Sequence, residues 1–130
     1  MIVLDASVVV AMLVNNALGQ SYGHVLQTDD PHWIVPHVLD LEVANALRNL
    51  TMGRQLDLYT TEQMLSKLAL LPAERHAHTP LLGRIWELRH NFSAYDAAYI
   101  ALAEDTNSTL YTMDRKLIKG HRARVVLLSV

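Results

Sequence analysis

At 130 residues, 51% of them hydrophobic and few aromatic, the chain is long enough for one compact aliphatic core and too apolar for disorder. A formal charge of −2 excludes a global basic field, so any contact with nucleic acid has to be local. The absence of cysteine excludes disulfides, zinc–thiolate sites and thiol catalysis.

The opening run MIVLDASVVVAMLV lacks a basic leader. No stretch approaches the roughly 18 apolar residues of a membrane helix. A soluble, cytoplasmic protein with no membrane partner is therefore expected. Ile2-Val3-Leu4 reads as a short strand buried on both faces and ended by Asp5. Ser7 is expected to cap a helix to about Val14, with Asn15-Asn16 as its stop. A second helix is expected from Gln20 to Gln27, closed by Asp29-Asp30-Pro31. His32 to Val35 predicts a strand ended by Pro36.

From His37 to Met52, apolar residues recur every three or four positions at Leu39, Val43, Ala46, Leu47 and Leu50, and Gly53 follows. Asp57 to Leu71 repeats the helical pattern and Pro72 ends it. Glu74 to His78 predicts a short edge strand. Thr79-Pro80 looks like a cap and first helical position for a helix to about His90. Ser93 and Asp96 resemble a capping box, with Asp in place of Glu or Gln, opening a helix to about Asp105. Thr109 to Thr112 is a predicted strand, Arg115 to Ile118 a short helix, and Val125 to Leu128 a last strand. Strands alternating with helices predict an α/β class fold: one domain over residues 1–130, with a mostly parallel central sheet flanked by helices.

Four carboxylates stand out against this pattern. Asp5 and Asp114 both follow the carboxyl end of a predicted strand, where parallel sheets gather their ligands. Either alone is ordinarily a helix cap or a turn former. Glu42 sits among Leu41, Val43, Ala44 and Ala46 in a predicted helix; its ordinary reading is a half-exposed residue at the edge of the apolar stripe. Asp96 lies near Ala97, Ala98 and Ile100, where an acid in a first turn gains about 0.3–1 kcal/mol from the helix dipole.

Together they demand neutralisation. Two like charges about 4 Å apart repel by about 4 kcal/mol at an effective dielectric near 20. Mg²⁺ or Mn²⁺ favours such oxygen ligands, and the sequence has no HExxH. Held by a few carboxylates, such an ion suits phosphate substrates. No GxxxxGK[ST] or GxGxxG is present, so a phosphodiester is the natural candidate. The basic run after Asp114, with Arg115, Lys116, Lys119, Arg122 and Arg124, is either a plain solvated surface or a grip for flanking phosphates. Arg48 and Arg54 extend that rim in the second reading. His76 and His78 on one strand face are a minor candidate metal pair beside the reading as surface histidines.

The motifs LDAS, LEVANALR, SAYDAAYIALAE and YTMDRKL, in that order, resemble those of PIN-domain ribonucleases, specifically the VapC toxins of VapBC toxin–antitoxin pairs. The resemblance spans essentially the whole chain. It implies a parallel-sheet α/β/α domain with acids around Mg²⁺ or Mn²⁺, cutting RNA to leave a 5′-phosphate and a 3′-hydroxyl. By position, Asp5, Glu42, Asp96 and Asp114 match the catalytic acids, with Asp5, Asp96 and Asp114 as metal ligands. Ser7 and Thr112 match supporting hydroxyls, and Asn45 a polar position one turn after Glu42. The resemblance further implies a homodimer and a cognate VapB-type antitoxin, whose arginine enters the acidic site. A catalytically silent PIN-like module that binds RNA or protein is the alternative, and a DNA endonuclease shares the metal chemistry.

Overall fold

A computed structural model of the chain describes residues 1–14 and 32–128. Among these residues five strands form one all-parallel sheet: β1 (Ile2–Leu4), β2 (Trp33–Pro36), β3 (Ala73–His76), β4 (Thr109–Thr112) and β5 (Arg124–Leu127). Their spatial order is β3-β2-β1-β4-β5. The chain therefore moves outward from β1 through β2 to β3, then reverses to the other side of β1. That reversal makes the carboxyl ends of β1 and β4 the switch point where parallel sheets bind ligands. Register pairs Leu4 with Tyr111, so Asp5 and Thr112 emerge side by side.

Five helices connect the described strands: α1 (Ala6–Val14), α2 (Val38–Met52), α3 (Leu58–Ala69), α4 (Leu82–Glu87) and α5 (Ala94–Asp105). Short 3₁₀ turns cover Thr79–Leu81 and Arg115–Leu117. Helices α1, α2 and α3 pack on one another; α4 packs on α5, which crosses β1, β2 and β4. Every residue of β1 and β2 is buried, so both faces of the central sheet are covered. Helix α5 is buried at every position from Ala97 to Ala103, and its alanines let the backbone lie close against the sheet. No described helix is long and apolar enough to cross a membrane.

Most element boundaries fall within a residue or two of the sequence expectation, and two features differ. Asp5, not Ser7, caps α1: the Val8 N–H donates to its Oδ1 at 3.2 Å and the Val9 N–H to its carbonyl. Ser7 lies inside the first turn, its hydroxyl committed elsewhere. The single helix expected from Thr79 to His90 is instead the 3₁₀ turn followed by α4, which ends at Glu87. The helix expected from Gln20 to Gln27, with its flanking turn residues, lies outside the described residues.

Two caps set helix starts, of which the sequence predicts the one at Ser93. The Asp57 carboxylate accepts the Thr60 N–H at 2.7 Å, and the Ser93 hydroxyl accepts the Asp96 N–H at 3.1 Å. At the other end of α3, Arg75 on β3 donates to the carbonyls of Leu68 and Leu71, to that of Ala73, and to both oxygens of Asp40 on α2. One guanidinium thus satisfies the end of α3 and ties it to α2, the helix that carries Glu42. Hydrogen bonds to charged groups contribute about 1.5–3 kcal/mol each, with strong overlap where one side chain makes several. Arg75→Ala should lower unfolding free energy in urea by about 2–4 kcal/mol. Asp40→Asn, whose partner remains bound to the carbonyls, should cost less than half as much in the same assay.

Candidate active site

Asp5 is only 5% exposed, and buried aspartates of this kind survive only when partnered. Its partners come from both strands at the switch point. The Ser7 hydroxyl donates to Oδ1 and the Thr112 hydroxyl, at the end of β4, donates to Oδ2. Each hydroxyl is itself fixed by a backbone amide. Met113 N–H donates to Ser7 Oγ at 3.0 Å, and Asp114 N–H donates to Thr112 Oγ1 at 3.0 Å. A closed set of hydrogen bonds therefore joins β1, the first turn of α1 and the loop leaving β4. Burial pushes the Asp5 carboxyl above its usual range; the bonds from Ser7, Thr112 and the Val8 amide oppose that rise, and the charge of Asp96 adds to it.

Glu42 projects from the second turn of α2. Its Oε1 accepts a hydrogen bond from the Tyr99 hydroxyl on α5 at 2.6 Å. Partial burial raises the Glu42 carboxyl, the Tyr99 bond lowers it, and the charges of Asp96 and Asp5 raise it again. Tyr99 itself is held as a neutral phenol, first by burial and then by the Glu42 carboxylate. Asp96, in the first turn of α5, faces Lys116 from the turn after β4. The Lys116 ammonium stands 3.4 Å from Asp96 Oδ2 and 3.6 Å from Asp114 Oδ2. These two carboxylates, Asp96 first, hold it firmly protonated. Asp114 in turn accepts the Lys116 N–H at 3.0 Å, which caps the 3₁₀ turn.

All four acids singled out from sequence are thus in one place: Asp96 shares a field with Asp5 and Glu42 on one side and a lysine with Asp114 on the other. Asn45 lies one turn beyond Glu42, exposed, and with it lines an open recess bordered by Val38, Leu41 and Tyr95. The basic run is divided. Lys116 reaches the acids, and Arg115 and Lys119 are exposed nearby in the chain. Arg122 does not join them. Its N–H donates to Glu104 Oε2 at 2.8 Å near the far end of α5, where Arg84 also grips Glu104. Arg124 donates to the Asn107 carbonyl ahead of β4, at the opposite rim of the sheet. His76 stands beside Glu74 and His78 meets the His37 ring edge-on at 6.4 Å.

Tyr99 went unmarked in the sequence because a tyrosine in an alanine-rich buried helix reads as core. The available signal is its spacing: three residues after Asp96, it lies on the same helix face, and a buried phenol needs an acceptor.

The donor set is all oxygen, partly desolvated and short of positive charge, which suits a hard divalent cation. Among the described residues no three acids or imidazoles draw close enough to chelate an ion unaided. Mg²⁺ or Mn²⁺ at this site would therefore be held by one or two carboxylates directly, with water completing the shell.

Comparison with known proteins places this geometry. A protein-family model described as the PIN domain matches residues 2–121. The chain is a PIN domain. Ribonuclease VapC9 of Mycobacterium tuberculosis is 38% identical over 117 residues, covering 90% of this chain and 88% of that protein. The chain therefore belongs with the VapC members of the family. Among solved structures, PAE2754 from Pyrobaculum aerophilum superposes with a TM-score of 0.74 at 21% identity, over 95% of this chain and 81% of that one. The VapBC2 structure from Rickettsia felis, bound to a DNA fragment from its promoter, gives 0.73 at 19% identity, over 97% and 98%. These two show the same α/β fold.

The shifted acids make the metal-free protein sensitive to pH. Asp5 and Glu42 hold protons more tightly folded than unfolded, so folding is favoured as pH falls. Their destabilising effect is absent below the ordinary carboxylate range near 4, and is complete only above the raised folded values. The melting temperature in EDTA should therefore rise as pH is lowered from 8 towards 5. Asp5→Asn should melt no lower than the parent at pH 8 and show a flatter profile; a parallel profile would place the effect elsewhere. Tyr99→Phe removes the donor that holds Glu42 down, so the Glu42 carboxyl should titrate at higher pH still, as read by carboxyl ¹³C chemical shift.

Proposed function

We propose that this PIN domain is the toxin of a VapBC-type pair: an endoribonuclease dependent on Mg²⁺ or Mn²⁺, silenced by a cognate VapB-type antitoxin. The convergence of Asp5, Glu42, Asp96 and Asp114 at the switch point carries the reading, and the resemblance to VapC9 along nine-tenths of the chain supports the choice of substrate. Asp5, Asp96 and Asp114 would hold the metal, directly or through water. When bound, the ion supplies positive charge to a phosphoryl oxygen and makes water a better nucleophile at neutral pH.

The chain's own residues do the remainder. Asp5 is locked in one rotamer by two hydroxyls, so its lone pairs are aimed before substrate arrives. Glu42, with a raised carboxyl and one oxygen engaged by Tyr99, has a second oxygen, unpartnered among the described residues, to orient the attacking water and take up its proton. Lys116 sits where it can turn from Asp96 and Asp114 to a phosphate once a metal takes over those acids. The buried walls keep this charge in a low dielectric, where each interaction is stronger than in water. An antitoxin arginine is a suitable inhibitor because a guanidinium matches the same carboxylates bidentately. As proposed for the family, residues 1–130 act as one domain, in a homodimer in the cytoplasm.

Purified protein should cleave single-stranded RNA with Mg²⁺ or Mn²⁺, stop in EDTA, and recover on adding metal back. Asp5→Asn and Asp96→Asn should each lower the rate at least about a hundredfold. Cleavage in EDTA, or full activity in both variants, would sink the metal mechanism. RNA binding by gel shift with no cleavage under any divalent ion would favour the silent module instead.

A further inference from the structure

Tyr95 precedes Asp96 at the start of α5, yet the residue is 58% exposed while Asp96 meets Lys116 and Tyr99 meets Glu42. With Val38, Leu41 and Asn45 it lines an open recess of about 470 Å³ that also contains Glu42. Val38 and Tyr95 further border a smaller apolar recess of about 230 Å³ that continues towards Leu82 and Ile85 on α4. Leu41, at the rim, is 73% exposed. An aromatic ring and an aliphatic side chain thus stand in water at the edge of a cluster of carboxylates.

That placement matters for a polyanionic substrate. Four acids crowd the site, and among the described residues Lys116 is the cation whose side chain reaches them, while Arg122 and Arg124 lie at the other rim. Phosphate contacts are the ordinary source of affinity for nucleic acid. Where they are few, the uncharged part of the nucleotide has to supply the grip, and aromatic side chains do this by stacking on unpaired bases. The recess touches Glu42, so a base lodged there belongs to a nucleotide next to the one being cut.

We infer that Tyr95 is the stacking platform for a nucleobase flanking the scissile phosphate of single-stranded RNA, with Val38 and Leu41 as the wall of its recess and the Asn45 amide at its rim. The inference rests on the nuclease reading above. A base paired in a duplex is not free to enter, so the same contact selects single strands. Asn45, able to donate and accept, gives the recess a means of preferring one base edge over another.

The test uses a short single-stranded oligoribonucleotide containing the cut site mapped with the wild-type protein, and a series in which one nucleotide at a time is abasic. Tyr95→Ala should raise KM about tenfold with kcat within about threefold, and Tyr95→Phe and Tyr95→Trp should restore KM, since stacking needs the ring and not the hydroxyl. One abasic position beside the cut should raise the wild-type KM about tenfold and add nothing in Tyr95→Ala. An unchanged KM in Tyr95→Ala, or an abasic penalty equal in both proteins, overturns the inference. So does a Tyr95→Ala protein that cleaves normally and loses only binding to its antitoxin, which would give the recess to a protein segment. If the wild type cuts no RNA, the nuclease reading has failed. Fluorescence-anisotropy binding of the same intact and abasic oligonucleotides to wild type and Tyr95→Ala then decides the stacking role by the same criterion.

Discussion

One buried carboxylate joins the two strand ends on which the site is built. Asp5 ends the central strand, caps α1 through the Val8 amide, and receives hydroxyls from Ser7 and Thr112. Without those donors a carboxylate at this depth would be strongly penalised, and with them it fastens β1 to β4 at the point where the chain order reverses. The bonds from Met113 and Asp114 amides extend the same connection into the loop that carries the last acid. Fold and site therefore share their hydrogen bonds. What holds the two strand ends together also aims the oxygens.

The electrostatic balance is deliberately incomplete. Burial and mutual repulsion raise Asp5 and Glu42, the Tyr99 hydroxyl and the backbone oppose the rise, and a single lysine stands between Asp96 and Asp114. Elsewhere charges are matched more fully: Glu104 meets Arg84 in two hydrogen bonds and Arg122 through its amide, and Arg75 is satisfied by Asp40 and three carbonyls. The contrast separates ion pairs that hold the fold from a cluster kept short of positive charge, as sites that recruit a cation are.

Much of this was legible in the chain. Asp5 was conspicuous because a carboxylate ending a β-branched run has few structural uses, and Ser93 with Asp96 announced the start of α5 through capping chemistry. Asp5 also proved to be the cap that a sequence reading gives to Ser7, since both are good caps and only the backbone decides which residue leaves the helix. Arg122 lies away from the acids for a topological reason. Nearness to Asp114 in sequence suggested nearness in space, but a parallel crossover from β4 to β5 must carry the chain back to the starting edge of the sheet. Residues just before β5 are therefore at the wrong rim. Tyr99 and Tyr95 were silent for opposite reasons: one looks like core and is core with a polar tip, the other looks like core and is not.

Thr112 carries a consequence of its own. Its hydroxyl donates to the Asp5 carboxylate and accepts the backbone N–H of Asp114, so one oxygen atom joins the end of β1 to the loop that leaves β4. The end of β1 and the backbone of the loop after β4 therefore move as one joint, pinned by a hydroxyl that solvent does not reach.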